Sequence, residues 1–119
     1  MANPNIVNVT TITGQTALAN VTTVTANVIT NASASGTICK INNIILSNYT
    51  GVTQSANVII NRSGSGSFYI GGTVTVPLNS TLVLVGKDMS FYLLEGDVIQ
   101  SNASANSSIH LTSSYEIIS

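Results

Sequence analysis

Ile109-His110-Leu111-Thr112-Ser113-Ser114-Tyr115-Glu116-Ile117 is the stretch that decides the fold class. Apolar and polar residues alternate along it with a period of two, the pattern of a half-buried β-strand. Ile109, Leu111, Tyr115 and Ile117 are expected to face a core, with Ser113 the exception among them. His110, Thr112, Ser114 and Glu116 are expected to face outward. Working back towards the N-terminus, Asn102 to Ser107 reads as a polar loop and Val98 to Ser101 as a strand opened by the tight turn Glu95-Gly96-Asp97. Met89 to Leu94 is another strand, and Gly86-Lys87-Asp88 a loop before it. Thr81 to Val85 is apolar on both faces, as expected of a central buried strand.

Further back, Thr73 to Leu78 places Val74, Val76 and Leu78 on one face, and Pro77 marks an edge or a strand end. Gly71-Gly72 is expected to break this strand from Ser67 to Ile70. Arg62-Ser63-Gly64-Ser65-Gly66 reads as a hairpin loop, because glycine supplies positive φ without a steric penalty. Gln54 to Asn61 alternates with Ala56, Val58 and Ile60 on one face, and Asn48-Tyr49-Thr50-Gly51 is a turn. Thr37 to Ser47 is a long strand. Cys39, Ile41 and Ile45 share one face, and the other (Lys40, Asn42, Ile44, Leu46) is polar first and apolar later, so a bulge or twist is expected. Turn clusters at short intervals between β-branched runs argue for a sandwich or barrel. The fold expected is all-β: an antiparallel, jelly-roll-like β-sandwich of about eight to ten short strands.

Residues 1–35 differ from the rest. They hold a near-repeat, Asn8-Val9-Thr10-Thr11-Ile12-Thr13 and Asn20-Val21-Thr22-Thr23-Val24-Thr25, at a spacing of 12 residues. Two copies are too few for a solenoid. They read as two strands of one hairpin, or as an extended arm that pairs with a neighbouring subunit. The helical spacing of Leu18 and Val21 fails at Thr25. The division expected is an arm or hairpin over 1–35 and a sandwich domain over 36–119. No residue before Lys40 is charged, and an uncharged, Thr/Val-rich segment left in water is an aggregation hazard.

Composition narrows the chemistry. Charged residues are 6% of the 119, against about 25% in ordinary domains. The core must be built from Val, Ile and Leu, since Trp is absent and aromatics are 5%. A net charge of −1 gives no electrostatic reason to meet nucleic acid or an anionic membrane. The single cysteine, Cys39, excludes a disulfide within the chain and reads as a buried small hydrophobe. No apolar run approaches the ~18–20 residues of a membrane helix. Met1-Ala2-Asn3-Pro4-Asn5 shows neither the positive nor the apolar region of a secretory signal, so the expectation is a chain that begins at Met1 and is not exported.

Sites of catalysis and binding are poorly supplied. His110 lies mid-strand, and Gly64-Ser65-Gly66-Ser67 sits in a hairpin where a hydrolase elbow needs a strand-to-helix turn. The same glycines lack the Lys-Ser/Thr ending of a phosphate loop. Glu95 and Asp97 lie two apart across a glycine and read as a turn, not as a glycosidase pair. Asp88, Glu95 and Asp97 are the nearest approach to a calcium ligand set, and one Cys with one His does not fill a zinc site. Eight Asn-x-Ser/Thr sequons begin at Asn8, Asn20, Asn31, Asn48, Asn61, Asn79, Asn102 and Asn106; without export they are expected to carry no glycan. The expectation is no catalytic residue, no cofactor and no metal.

Val76-Pro77-Leu78-Asn79-Ser80-Thr81-Leu82-Val83-Leu84, Phe91-Tyr92-Leu93-Leu94-Glu95-Gly96-Asp97-Val98-Ile99 and Ser114-Tyr115-Glu116-Ile117-Ile118 together resemble small virion structural proteins of tailed phages, marine and cyanobacterial ones especially. The similarity runs from about Lys40 to Ser119, and its motifs are short and structural. It implies a β-sandwich and a place in the particle, and carries over no catalytic residue. A fainter similarity, the Gly-Asp turn opening a late strand, is to trimeric jelly-roll heads and is an analogy of fold. The function expected is therefore non-enzymatic: a capsid decoration or cement protein on the head exterior, assembled in the host cytoplasm, a homotrimer by analogy, with the major capsid protein or another virion protein as partner. A tail, neck or fibre component that binds host glycans through Arg62 to Gly66 and Asn102 to Ser107 is the alternative. The four tyrosines (Tyr49, Tyr69, Tyr92 and Tyr115) are too dispersed in sequence to argue for a sugar platform. A secreted adhesin or pilus-type module comes third, and an enzyme last.

Overall fold

The computed structural model describes residues 11–119. Nine strands form two antiparallel sheets: β1 (Ile12–Val21), β2 (Ala26–Thr30), β3 (Ile38–Asn48), β4 (Gln54–Arg62), β5 (Gly66–Val76), β6 (Ser80–Val85), β7 (Phe91–Leu93), β8 (Asp97–Ala103) and β9 (Ile109–Ile118). The first sheet runs β1-β9-β3-β6, with β7 continuing the β6 edge along β3; the second runs β2-β8-β4-β5. With β6 and β7 counted as one broken strand, this is the eight-strand order of a double-Greek-key jelly roll. A short 3₁₀ turn, Lys87–Met89, separates the two halves of that strand.

The core lies between the sheets and is aliphatic. Ile41, Ile44 and Leu46 of β3 meet Ile109 and Leu111 of β9, and Val58, Val76 and Ile99 close it from the second sheet; all are fully buried or nearly so. The alternation of β9 is as expected, and Ser113 has a partner: its Oγ donates to Asn43 O at 2.8 Å. That carbonyl sits at the bulge between Ile41 and Asn43, which turns β3 so that Cys39, Ile41, Ile44 and Leu46 all face inward.

Three expectations are corrected. Gly71-Gly72 does not end a strand. It lies inside β5, where the register against β4 shifts between Ala56 and Val58, and Thr73 adopts φ 49°. Residues 81–85 form an edge strand, not a central one, and Val83 is 58% exposed. The near-repeat makes no hairpin. Asn8 to Thr10 of its first copy lie outside the described residues, and β1 and β2 pair with β9 and β8 in opposite sheets. The chain crosses between sheets at residues 22–25, held by Ala103 N donating to Thr22 O (2.8 Å) and Thr23 N donating to Asn106 Oδ1 (2.9 Å). Described residues before the expected boundary at 35/36 are thus part of the sandwich.

Candidate functional site

The placement of charge defines the surface. Lys40 and Glu116 are register partners on the central strands β3 and β9, and Arg62 and Asp97 are register partners on the central strands β4 and β8. Glu95 lies in the turn before β8, and Lys87 and Asp88 lie in the 3₁₀ turn. Every edge strand (β1, β2, β5, and β6 with β7) is therefore free of charged residues. β1 and β5 are also long, 10 and 11 residues. Edge strands ordinarily carry lysine, proline or inward-pointing charge to block pairing with another chain. Here none of the charged devices is present on any edge.

Of the acidic residues raised as ligands or catalysts, Asp97 and Glu95 are engaged in building turns, and Asp88 is exposed in the 3₁₀ turn. Asp97 is fully buried and accepts two bonds from Arg62, Nε to Oδ1 at 2.9 Å and Nη2 to Oδ2 at 2.8 Å. That bond, and the carboxylate charge behind it, hold the Arg62 guanidinium above its ordinary value. Asp97 Oδ2 also accepts from Leu94 N at 2.9 Å, closing the turn in which Gly96 takes φ 87°. Glu95 Oε2 accepts from Gly36 N at 2.6 Å. Among the described residues no three His, Cys, Asp or Glu side chains converge as metal ligands. Gly64 and Gly66 take positive φ in the hairpin between β4 and β5, and Ser65 N donates to Arg62 O at 2.9 Å. Cys39 is buried, which pushes its thiol up from the ordinary value.

Two sequon asparagines serve as structural hubs. Asn31 Nδ2 donates to Thr37 O and Leu93 O (3.0 Å each), and its Oδ1 accepts from Ser35 Oγ (2.7 Å) and Thr37 Oγ1 (3.0 Å). Asn48 Nδ2 donates to Val52 O (2.8 Å) and Val76 O (3.0 Å), while its Oδ1 accepts from Thr50 N (3.0 Å) and Thr50 Oγ1 (2.7 Å). Both are buried and use every bonding position an amide has. The repeated Asn-x-Ser/Thr spelling at Asn48 is thus the spelling of an Asx turn.

The outer faces of the sheets are uncharged over most of their area. On the second sheet an amide ladder crosses all strands. Asn102 Nδ2 donates to Thr25 Oγ1 (2.8 Å), Asn57 Nδ2 to Asn102 Oδ1 (2.8 Å), and Thr73 N to Asn57 Oδ1 (2.7 Å). Gln100 Nε2 donates to Asn27 Oδ1 (3.0 Å) beside it. On the first sheet His110 stands exposed on β9, and the Tyr49 ring lies 4.3 Å from it at 31°. Sequence spacing gave no sign of that pair, because it depends on the register of β3 against β9.

No protein-family model matches the chain, and no curated protein matches it. Among solved structures, a protein of Bacillus endospore appendages, described as a novel family of disulfide-linked pili, is similar with a TM-score of 0.54 and 13% identity. The superposition covers 92% of this chain and 88% of that one. At that identity the likeness is one of fold.

Proposed function

We propose that this chain is a non-enzymatic structural protein whose work is assembly: a phage virion component, and specifically a decoration protein that meets the major capsid protein on the head exterior. The observation that carries the reading is the absence of charge from every edge strand. An edge without charge offers a row of backbone donors and acceptors to a strand of another chain, most regularly along β1, whose pairing with β9 runs unbroken, and strand addition is a standard mode of recognition. The phage-like motifs fall on the last residue of β5 and on β6 to β9, and include the edge formed by β6 and β7.

The occupancy of particles tests it. Capsids lacking the protein are mixed with the parent chain or with a variant carrying Thr16→Lys and Thr75→Lys, two exposed positions on β1 and β5. The lysines should leave the melting temperature unchanged and lower occupancy by about tenfold. Undiminished occupancy would overturn the edge reading. A deletion of residues 1–35 is unsuitable, because it removes β1 and β2 from the sheets.

A second reading is favoured by the similarity to the endospore-appendage protein: a subunit of a pilus-like fibre. Fibres of the purified chain under the electron microscope would select it over decoration. The disulfide linkage described for that family has no counterpart through Cys39 as it stands, because that thiol is buried in the core.

A further inference from the structure

Two rows of side chains cross the outer face of the first sheet next to one another. The register places Asn20, His110, Ser47 and Thr81 in one row, and Leu18, Thr112, Ile45 and Val83 in the next. The first row carries hydrogen-bonding groups throughout and no Lys, Arg, Asp or Glu, with Ser47 Oγ and Thr81 Oγ1 3.2 Å apart. The second is mainly aliphatic, with Leu18 77% exposed. Between β1 and β9 the two rows border an open hollow of about 330 Å³, lined by Leu18, Ala19, Asn20, His110, Leu111 and Thr112. That volume is at the small end of ligand sites, enough for a single compact ring system. Tyr49, 46% exposed, lies against His110 at the rim and extends its aromatic surface.

We propose that this hollow binds a neutral saccharide. A pyranose has an apolar C–H face and a rim of hydroxyls, and the two rows offer those two chemistries side by side. Leu18 and the Tyr49–His110 pair take the C–H face, and Asn20 and Thr112 exchange hydrogen bonds with hydroxyls; Ser47 and Thr81, on the next two strands, come within reach only of a further sugar unit. Charge selects the class. On the paired strands β3 and β9 the nearest charged residues, Lys40 and Glu116, stand two same-face positions beyond Thr112, about 13 Å along the strands. No lysine or arginine therefore stands at the site to pair with an anionic ligand, while a neutral one loses nothing by that absence. The site uses side chains on the face, whereas the assembly proposed above uses main chain at the edges, so the two stand independently.

The experiment is a titration of the full chain with neutral oligosaccharides of glucose, galactose, mannose and N-acetylglucosamine, and with sialylated and sulfated sugars as a charged arm. Amide chemical shifts provide the readout. A saturating shift of Asn20, His110 and Thr112 by a neutral sugar, weakened about tenfold by Tyr49→Ala at unchanged melting temperature, is expected. Tyr69→Ala, an exposed ring on the second sheet, should bind as the parent does. The Thr75→Lys chain should bind sugar undiminished, which separates this site from the edge reading. The proposal is overturned if no neutral sugar shifts these amides, if only anionic sugars do, if the shifts follow protein concentration instead of sugar, or if Tyr49→Ala binds as tightly as the parent.

Discussion

Single side chains in this sandwich carry consequences out of proportion to their number, because few of them are polar and buried. Asn48 holds the corner between β3 and β4 to the end of β5. Asn48→Ala should cost about 2 kcal/mol, since it leaves Val76 O without that donor. Asn48→Asp should cost more at pH 7 despite its shape, because a carboxylate oxygen then faces two carbonyls. Urea unfolding of both variants checks the order. Arg62→Ala strands the Asp97 carboxylate in the core and should cost about 3 kcal/mol, the low end for a broken buried pair because the Arg62 side chain is 45% exposed. Burial also pushes up the thiol of Cys39 and the phenol of Tyr115, the latter with a smaller contribution from Cys39. Both groups hold their protons more tightly folded than unfolded, so their stabilisation is complete below the ordinary thiol value of 9.0 and is lost as pH rises through the folded values. The unfolding free energy should therefore decline above that pH, and Cys39→Val should remove the first part of the decline.

Strand by strand, period-two alternation was enough to place the interior of the molecule and not its borders. β9 was legible because it has one wet and one dry face, which alternation reports directly; in β4 the inward set Ala56, Val58 and Ile60 was legible although Ile59 on the other face is buried too. The bulge in β3 was legible for the same reason: the apolar face changes side between Ile41 and Ile44. β6 was misread because an edge strand packed near a bulge also shows apolar residues on both sides; Leu82 and Leu84 pack on the core while Val83 is exposed. Gly71-Gly72 was misread as a break because glycine marks both turns and bulges. Its actual role is close approach: a Cβ on Gly71 would lie 3.0 Å from Leu84 Cδ1 and 3.1 Å from Val74 Cγ1. Gly71→Ala should be destabilising by about 1 kcal/mol, since the end of the Leu84 side chain can yield, and Gly71→Val by more. Thermal unfolding of the two variants checks the ranking. The Tyr49–His110 pair was invisible to spacing, as its members lie on different elements and meet only through strand register.

At the scale of the whole molecule the scarcity of charge and its placement form one pattern. The basic and acidic residues number three and four, and four of these seven oppose one another on central strands. The edges are left to uncharged residues, aliphatic and aromatic as well as Thr, Ser, Asn and Gly. A protein that remains alone in solution gains from charged edges, because they block pairing with copies of itself and with other chains. One that must join a particle loses by them. The same arrangement fixes how assembly should respond to salt. Contacts between exposed ion pairs weaken as the Debye length shrinks from about 10 Å at 0.1 M to about 3 Å at 1 M. Contacts made of backbone hydrogen bonds and aliphatic surface do not depend on that screening. On the proposed function, association of this chain with a particle, or with further copies of itself, should therefore change less than about threefold in affinity between 0.1 M and 1 M sodium chloride. Sedimentation of the particle-bound fraction across that range measures it. A decline of tenfold or more would mean that ion pairs carry the contact, and the uncharged edges would then not be the joining surface.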